Sequence, residues 1–115
     1  MKYTLIKSED VQRKEKVGMI LSVYPNINDC GIVLENMKEG HNGEFYNTKS
    51  TFTYIVLEGN GSFFLDDEEV KVSNGDMLSI PPNTRIYFKG ELKMILITTP
   101  AWRPEDEVIT KDKIW

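Results

Sequence analysis

Along the chain, short runs of β-branched and aromatic residues are cut at close intervals by turn formers. No window keeps the i, i+3, i+4, i+7 apolar spacing of a helix over helical length. The pattern is densest in Ile55–Thr84, where apolar runs are separated by Gly59-Asn60-Gly61, Asp66-Asp67, Asn74-Gly75 and Pro81-Pro82. This reads as antiparallel strands joined by tight turns, since Gly and Asn tolerate positive φ and Pro fixes extended backbone at a strand's close. The strands expected are Tyr3–Ile6, Val17–Tyr24, Gly31–Met37, Glu44–Asn47, Thr51–Glu58, Ser62–Leu65, Val70–Val72, Met77–Ile80, Arg85–Phe88 and Leu92–Thr98. Between them, Lys7–Lys16 reads as a charged connection with at most one helical turn, Pro25–Asp29 as a turn cluster and Lys38–Gly43 as a polar, Gly-rich loop.

Strand runs recurring at roughly 8–12 residues predict an all-β sandwich or barrel with little helix. Tyr54–Leu57 and Met94–Ile97 are apolar at consecutive positions, which predicts cover on both faces, from the barrel interior and from a second layer or a partner subunit. A homodimer is therefore expected. Pro100–Trp115 carries two prolines, a block of acids and two tryptophans; it reads as an extended tail docked on the outer face of the sheet or on a neighbouring subunit.

At 115 residues the chain is long enough for one domain, 1–115, with a core that needs no covalent staple. Cys30 is the sole cysteine, so an intramolecular disulfide is impossible and a reducing, cytoplasmic setting is the simplest context. The N-terminal apolar run is too short for a signal segment, and no stretch reaches the ~20 apolar residues that cross a bilayer. Fourteen Lys and Arg are dispersed among 18 carboxylates for a net charge of −4. Phosphate binding needs clustered cations, so neither nucleic acid nor membrane is an expected partner.

The punctuation also resembles the cupin family. Tyr54-Ile55-Val56-Leu57-Glu58-Gly59 with Gly61, and Gly75-Asp76-Met77-Leu78-Ser79-Ile80-Pro81-Pro82-Asn83-Thr84, are similar to the two motifs of small single-domain cupins. The resemblance covers about 38–108, with a barrel core of about 38–99 and the tail from 100. It implies a double-stranded β-helix, a jelly-roll barrel, commonly dimeric. In that family the first motif carries two histidines and a glutamate, and the second a third histidine, all metal ligands. Counted from the matching phrase, those places fall on Phe45, Asn47, Phe52 and Ile86. Two phenyl rings and a butyl group have no lone pair for a divalent ion and Asn47 offers only a weak amide oxygen, so no metal and no cofactor is expected.

If those positions face inward, strand alternation points Phe45, Asn47, Phe52, Tyr54, Ile86 and Phe88 into the barrel. The interior is then either a core filled by its own side chains or a cavity for a small organic ligand, with Asn47 and Tyr54 as its polar groups. The filled core is the favoured expectation. His41 is the one histidine and the default acid or base near neutral pH; within a Gly-rich loop it reads as solvent-exposed. The acidic runs Asp66–Glu69 and Glu105–Glu107 read as solvated surface. The leading functional expectation is a metal-free barrel that binds a small molecule or a protein partner. Two alternatives stand beside it: a metal-independent isomerase or epimerase of a sugar or similar polyol, with His41 and Tyr54 as acid and base, and a structural or regulatory dimeric module.

Overall fold

A computed structural model describes residues 2–16 and 18–115. Among them run nine strands: β1 (Gln12–Lys16), β2 (Met19–Val23), β3 (Gly31–Met37), β4 (Gly40–Asn47), β5 (Thr51–Leu65), β6 (Glu68–Ser73), β7 (Met77–Ile80), β8 (Ile86–Thr99) and β9 (Glu107–Lys111). Helix is confined to single 3-10 turns at Ser8–Asp10 and Pro104–Asp106. The all-β barrel expected from the sequence is the architecture found.

β8 organises the sheet. One of its edges pairs antiparallel with β5 from Thr51↔Thr99 to Leu65↔Ile86, and the other with β3 and then β4. β2 and β1 extend the sheet beyond β3, and β9 extends it beyond β4. The free edge of β5 carries β7 at Phe52–Ile55 and β6 at Asn60–Leu65. Because long β5 and β8 pair with different partners along their lengths, the sheet curls into a jelly roll.

Alternation buries one side of each strand. On β8 the buried residues are Ile86, Phe88, Leu92, Met94, Leu96 and Thr98; on β5 they are Phe52, Tyr54, Val56 and Phe63. Phe63 stacks on Phe88 with ring centroids 4.6 Å apart, and Tyr54 lies 4.8 Å from Phe63. Burying each such ring contributes ~1.5–3 kcal/mol.

Several boundaries differ from those expected. Tyr3–Ile6 forms no strand; Tyr3 and Leu5 lie exposed, so pairing there would bury nothing. The strand is Gln12–Lys16, within the segment read as a charged connection, and it occupies the sheet edge, where charged side chains suit the position. Of the expected Val17–Tyr24 strand, Met19–Val23 is found, and Val17 lies outside the described residues. Gly59-Asn60-Gly61 is no turn: β5 continues through it with a register shift between Val56 and Glu58. Gly59, at φ +100, approaches β8 so closely that a Cβ would strike the Glu91 carbonyl. Arg85–Phe88 and Leu92–Thr98 likewise merge into β8.

The tail folds onto its own barrel. β9 pairs with β4 at Phe45↔Ile109, Tyr46↔Val108 and Asn47↔Glu107. Ile114 N–H donates to the Asn42 carbonyl (2.7 Å), and the Trp115 ring lies beneath Lys89 Nζ at 5.0 Å. Glu44, 1% exposed, ties this edge together: Thr110 Oγ1 donates to its Oε1 (2.8 Å) and Arg85 Nη1 to its Oε2 (3.3 Å). Arg85 also pairs with Asp67 at 2.9 Å.

Candidate active site

The barrel is packed at one end and hollow at the other. Val56, Phe63, Val72, Ile80, Leu92 and Met94 fill the packed end. Beside them opens a cavity of about 320 Å³, within the roughly 300–1,000 Å³ of small-molecule sites. The expectation of a filled core therefore holds for part of the interior only. Phe45, Phe52, Tyr54 and Phe88 form the aromatic wall, Leu21, Val33 and Leu96 add aliphatic surface, and His41, Glu35, Glu107, Lys14 and Lys16 supply charge-bearing groups.

His41 is not a loop residue. β4 begins at Gly40, whose φ of +108 lets the backbone press against the Phe88 carbonyl where a Cβ would collide, and His41 then pairs with Phe88 across the ladder. The imidazole is half-buried, 5.2 Å from the Phe45 ring and 5.8 Å from that of Phe88. Its Nδ1 lies 2.7 Å from the Gly43 carbonyl. A carbonyl oxygen only accepts, so Nδ1 carries the hydrogen and Nε2 keeps the lone pair. Burial pulls the imidazole pKa below 6.5 despite the opposing pull of the Gly43 bond. At neutral pH the ring is thus an oriented, neutral base.

Tyr54 is 1% exposed. Burial pushes its phenol pKa well above 10, and the nearby charges of Glu35 and Glu107 push the same way. Its hydroxyl therefore keeps its proton at neutral pH. Tyr54 and His41 flank Phe88, each with its ring 5.8 Å from the Phe88 ring.

Two expected ligand contacts lie elsewhere. Asn47 does not wall the cavity: its Oδ1 accepts from the backbone N–H groups of Lys49 (2.9 Å) and Ser50 (2.7 Å), which bends the chain from β4 into β5. Ile86 sits in the packed core opposite Phe45 and Leu65. Phe45 and Phe52, at two of the places read as metal-ligand positions, present rings to the cavity. Among the described residues, no three of His, Cys, Asp and Glu stand close enough to share a metal ion. This donor set does not fit a divalent metal centre.

Sequence reasoning missed Glu35. It is 6% exposed on β3, faces inward between Leu21 and Met94, and leaves Oε1 without a hydrogen-bond partner. Burial raises its pKa from 4.5 to about 7 against the opposing pull of Lys16. An acid at the same parity as Val33 and Met37 was the available signal, but Ile32 and Leu34 on the other parity are equally apolar, so alternation alone did not choose the inward face.

No protein-family profile matches the chain. Its fold superposes on Pac13 of Streptomyces, described as a nucleoside dehydratase, with a TM-score of 0.89 and 35% identity over 96% of this chain and 92% of that one. Single His→Gln and Tyr→Phe variants of Pac13 have been solved with uridine. Acireductone dioxygenase of Exiguobacterium sibiricum is 29% identical over 94% of this chain, which spans 64% of that enzyme's length. An RmlC-like cupin of Shewanella frigidimarina shares the fold at a TM-score of 0.71, with 14% identity over 90% of this chain and 96% of that one. No helix among the described residues is long and apolar enough to cross a membrane. With this fold, both sequence motifs in place and a relative of this similarity along nearly its whole length, the chain belongs to the cupin family.

Proposed function

We propose that the chain is a metal-independent enzyme that eliminates water from a nucleoside or a closely similar glycoside, with His41 as the base. The observation that carries this reading is the imidazole itself. It is neutral, its tautomer is fixed through Gly43, and it borders a cavity walled by aromatic rings. The likeness to a nucleoside dehydratase supports it.

Loss of water from a sugar breaks one C–H and one C–O bond. A side-chain base removes such a proton at a useful rate only when an adjacent carbonyl delocalises the resulting charge, so the substrate class is a nucleoside bearing an oxidised sugar carbon. His41 Nε2 takes the proton, and the imidazolium so formed holds it for return to the departing hydroxyl. Tyr54, kept protonated, donates a hydrogen bond to the oxygen that gains charge. Lys16 at the cavity rim adds a cation to the same field. Elimination and epimerisation share the first proton abstraction, which links this reading to the isomerase alternative.

Binding without turnover is a second reading, favoured by Phe88. The variants of the Streptomyces protein altered one histidine and two tyrosines, at positions numbered one above His41, Tyr54 and Phe88 here. Only the third of these lacks its polar group in this chain.

Turnover of a uridine carrying a sugar carbonyl, followed by loss of a water mass, separates the two readings. Wild type is expected to turn over and His41→Gln to fall by about 100-fold or more while still binding uridine. Binding by both proteins with turnover by neither would leave the second reading. Turnover unaffected by His41→Gln would overturn the assignment of the base.

A further inference from the structure

The cavity has two polar poles, and the proposed chemistry uses one of them. His41 stands over Phe88 at the β4 side, while Glu35 stands on β3 opposite Met94. The rings of Phe88 and Tyr54 form the wall between them. Glu35 serves no role within the fold that its contacts reveal: its Oε1 is buried, unpartnered and at the cavity wall. An orphan oxygen at such a place costs stability unless an occupant of the cavity satisfies it.

We propose that Glu35 is the base-recognition residue of this site, and that its carboxyl pairs with the imide edge of a pyrimidine nucleoside. The inference rests on the nucleoside reading given above. If the sugar of a bound nucleoside lies at His41, where its proton must be taken, the heterocycle extends along the aromatic wall toward Glu35. A protonated carboxyl offers a hydroxyl donor beside a carbonyl acceptor. The imide edge of uracil offers the complement, a carbonyl acceptor beside the N3–H donor, so two parallel hydrogen bonds form and Oε1 gains its missing partner. Burial keeps the proton on Glu35 up to about pH 7. The other charged or titratable groups sharing this cavity are Lys14 and Lys16 of β1, Tyr24 after β2, His41 of β4, Tyr54 of β5 and Glu107 of β9. Of these, Lys16 favours the ionised form of Glu35.

Calorimetric titration of uridine and 3-methyluridine, at about pH 6 and about pH 8, tests the assignment with wild type, Glu35→Gln and Glu35→Leu. Wild type is expected to bind uridine about tenfold more weakly at the higher pH, because the ionised carboxylate no longer donates. Glu35→Gln keeps a neutral donor beside an acceptor, so it should bind equally at both pH values. Glu35→Leu should bind about tenfold more weakly than wild type at the lower pH, and 3-methyluridine, whose N3 has no hydrogen, should bind weakly to all three. A purely structural Glu35 would shift stability but leave no difference between the two ligands. Uridine binding that is equal in wild type and Glu35→Leu, and equal to that of 3-methyluridine, would overturn the role of Glu35 while leaving the nucleoside reading intact. Absence of uridine binding to wild type would overturn both.

Discussion

His41 and Glu35 are perturbed in the same physical way and with opposite chemical results. Desolvation disfavours the charged form of each, which leaves the imidazole without a proton and the carboxyl with one. The consequences for pH differ. The folded-state pKa of His41 lies below 6.5, so the proposed base stays competent to lower pH than a free imidazole would. The acidic limb of kcat/KM against pH is expected below pH 6.5; a limb above it would show that a different group titrates. Titration of Glu35 adds no pH dependence to stability below about pH 4.5, where both folded and unfolded chains hold its proton. Between 4.5 and about 7 the unfolded chain ionises first, and stability falls as pH rises. By about pH 8 the loss amounts to ~3 kcal/mol. Urea denaturation should therefore find Glu35→Gln more stable than wild type by about that amount at about pH 8 and nearly equal at about pH 4. A stability difference independent of pH would contradict the buried-acid account.

At the scale of elements, the tail depends on one buried carboxylate. Glu44 receives Arg85 from just before β8 and Thr110 from β9. Arg85→Met leaves this carboxylate buried without its cation and should lower stability, with faster hydrogen exchange over Glu107–Lys111 than over β5. Unchanged exchange in β9 would show that its backbone ladder suffices. The same scale explains what could be read from the sequence. Gly31–Met37 and Met77–Ile80 were legible to the residue because turn formers flank apolar runs on both sides. Gly40 and Gly59 misled for one reason: a glycine that lets two backbones come close looks in sequence like a glycine that turns the chain. Reading Gly40 as a loop placed His41 in solvent. Reading Gly59 as a turn divided β5 in two. The edge strands β1 and β9 had no apolar alternation to announce them, because partner strands and not burial create them. Phe45, Phe52, Tyr54 and Phe88 were recognised as inward-facing because their strands carry the family motifs or pair with strands that do, whereas the part played by Asn47 depended on a backbone bend that residue type does not encode.

Taken whole, the barrel divides its interior between stability and function. The packed end and the aromatic wall together supply the apolar burial, and the hollow end leaves room for an occupant of nucleoside size between His41 and Glu35. Filling that space should separate the two roles: Leu96→Trp, at the cavity wall, is expected to abolish uridine binding while the far core remains cooperative in thermal unfolding. Loss of both would mean that the halves are not independent. The central claim is that the aromatic cavity holds a nucleoside by shape and hydrogen bonding, without a metal ion. Its most direct test is saturation-transfer NMR of uridine against chelator-treated protein at about pH 6. Transfer to both the base and ribose protons, undiminished by chelation and absent in Leu96→Trp, is the predicted result. No transfer, or transfer that disappears on chelation and returns with added metal, would contradict it.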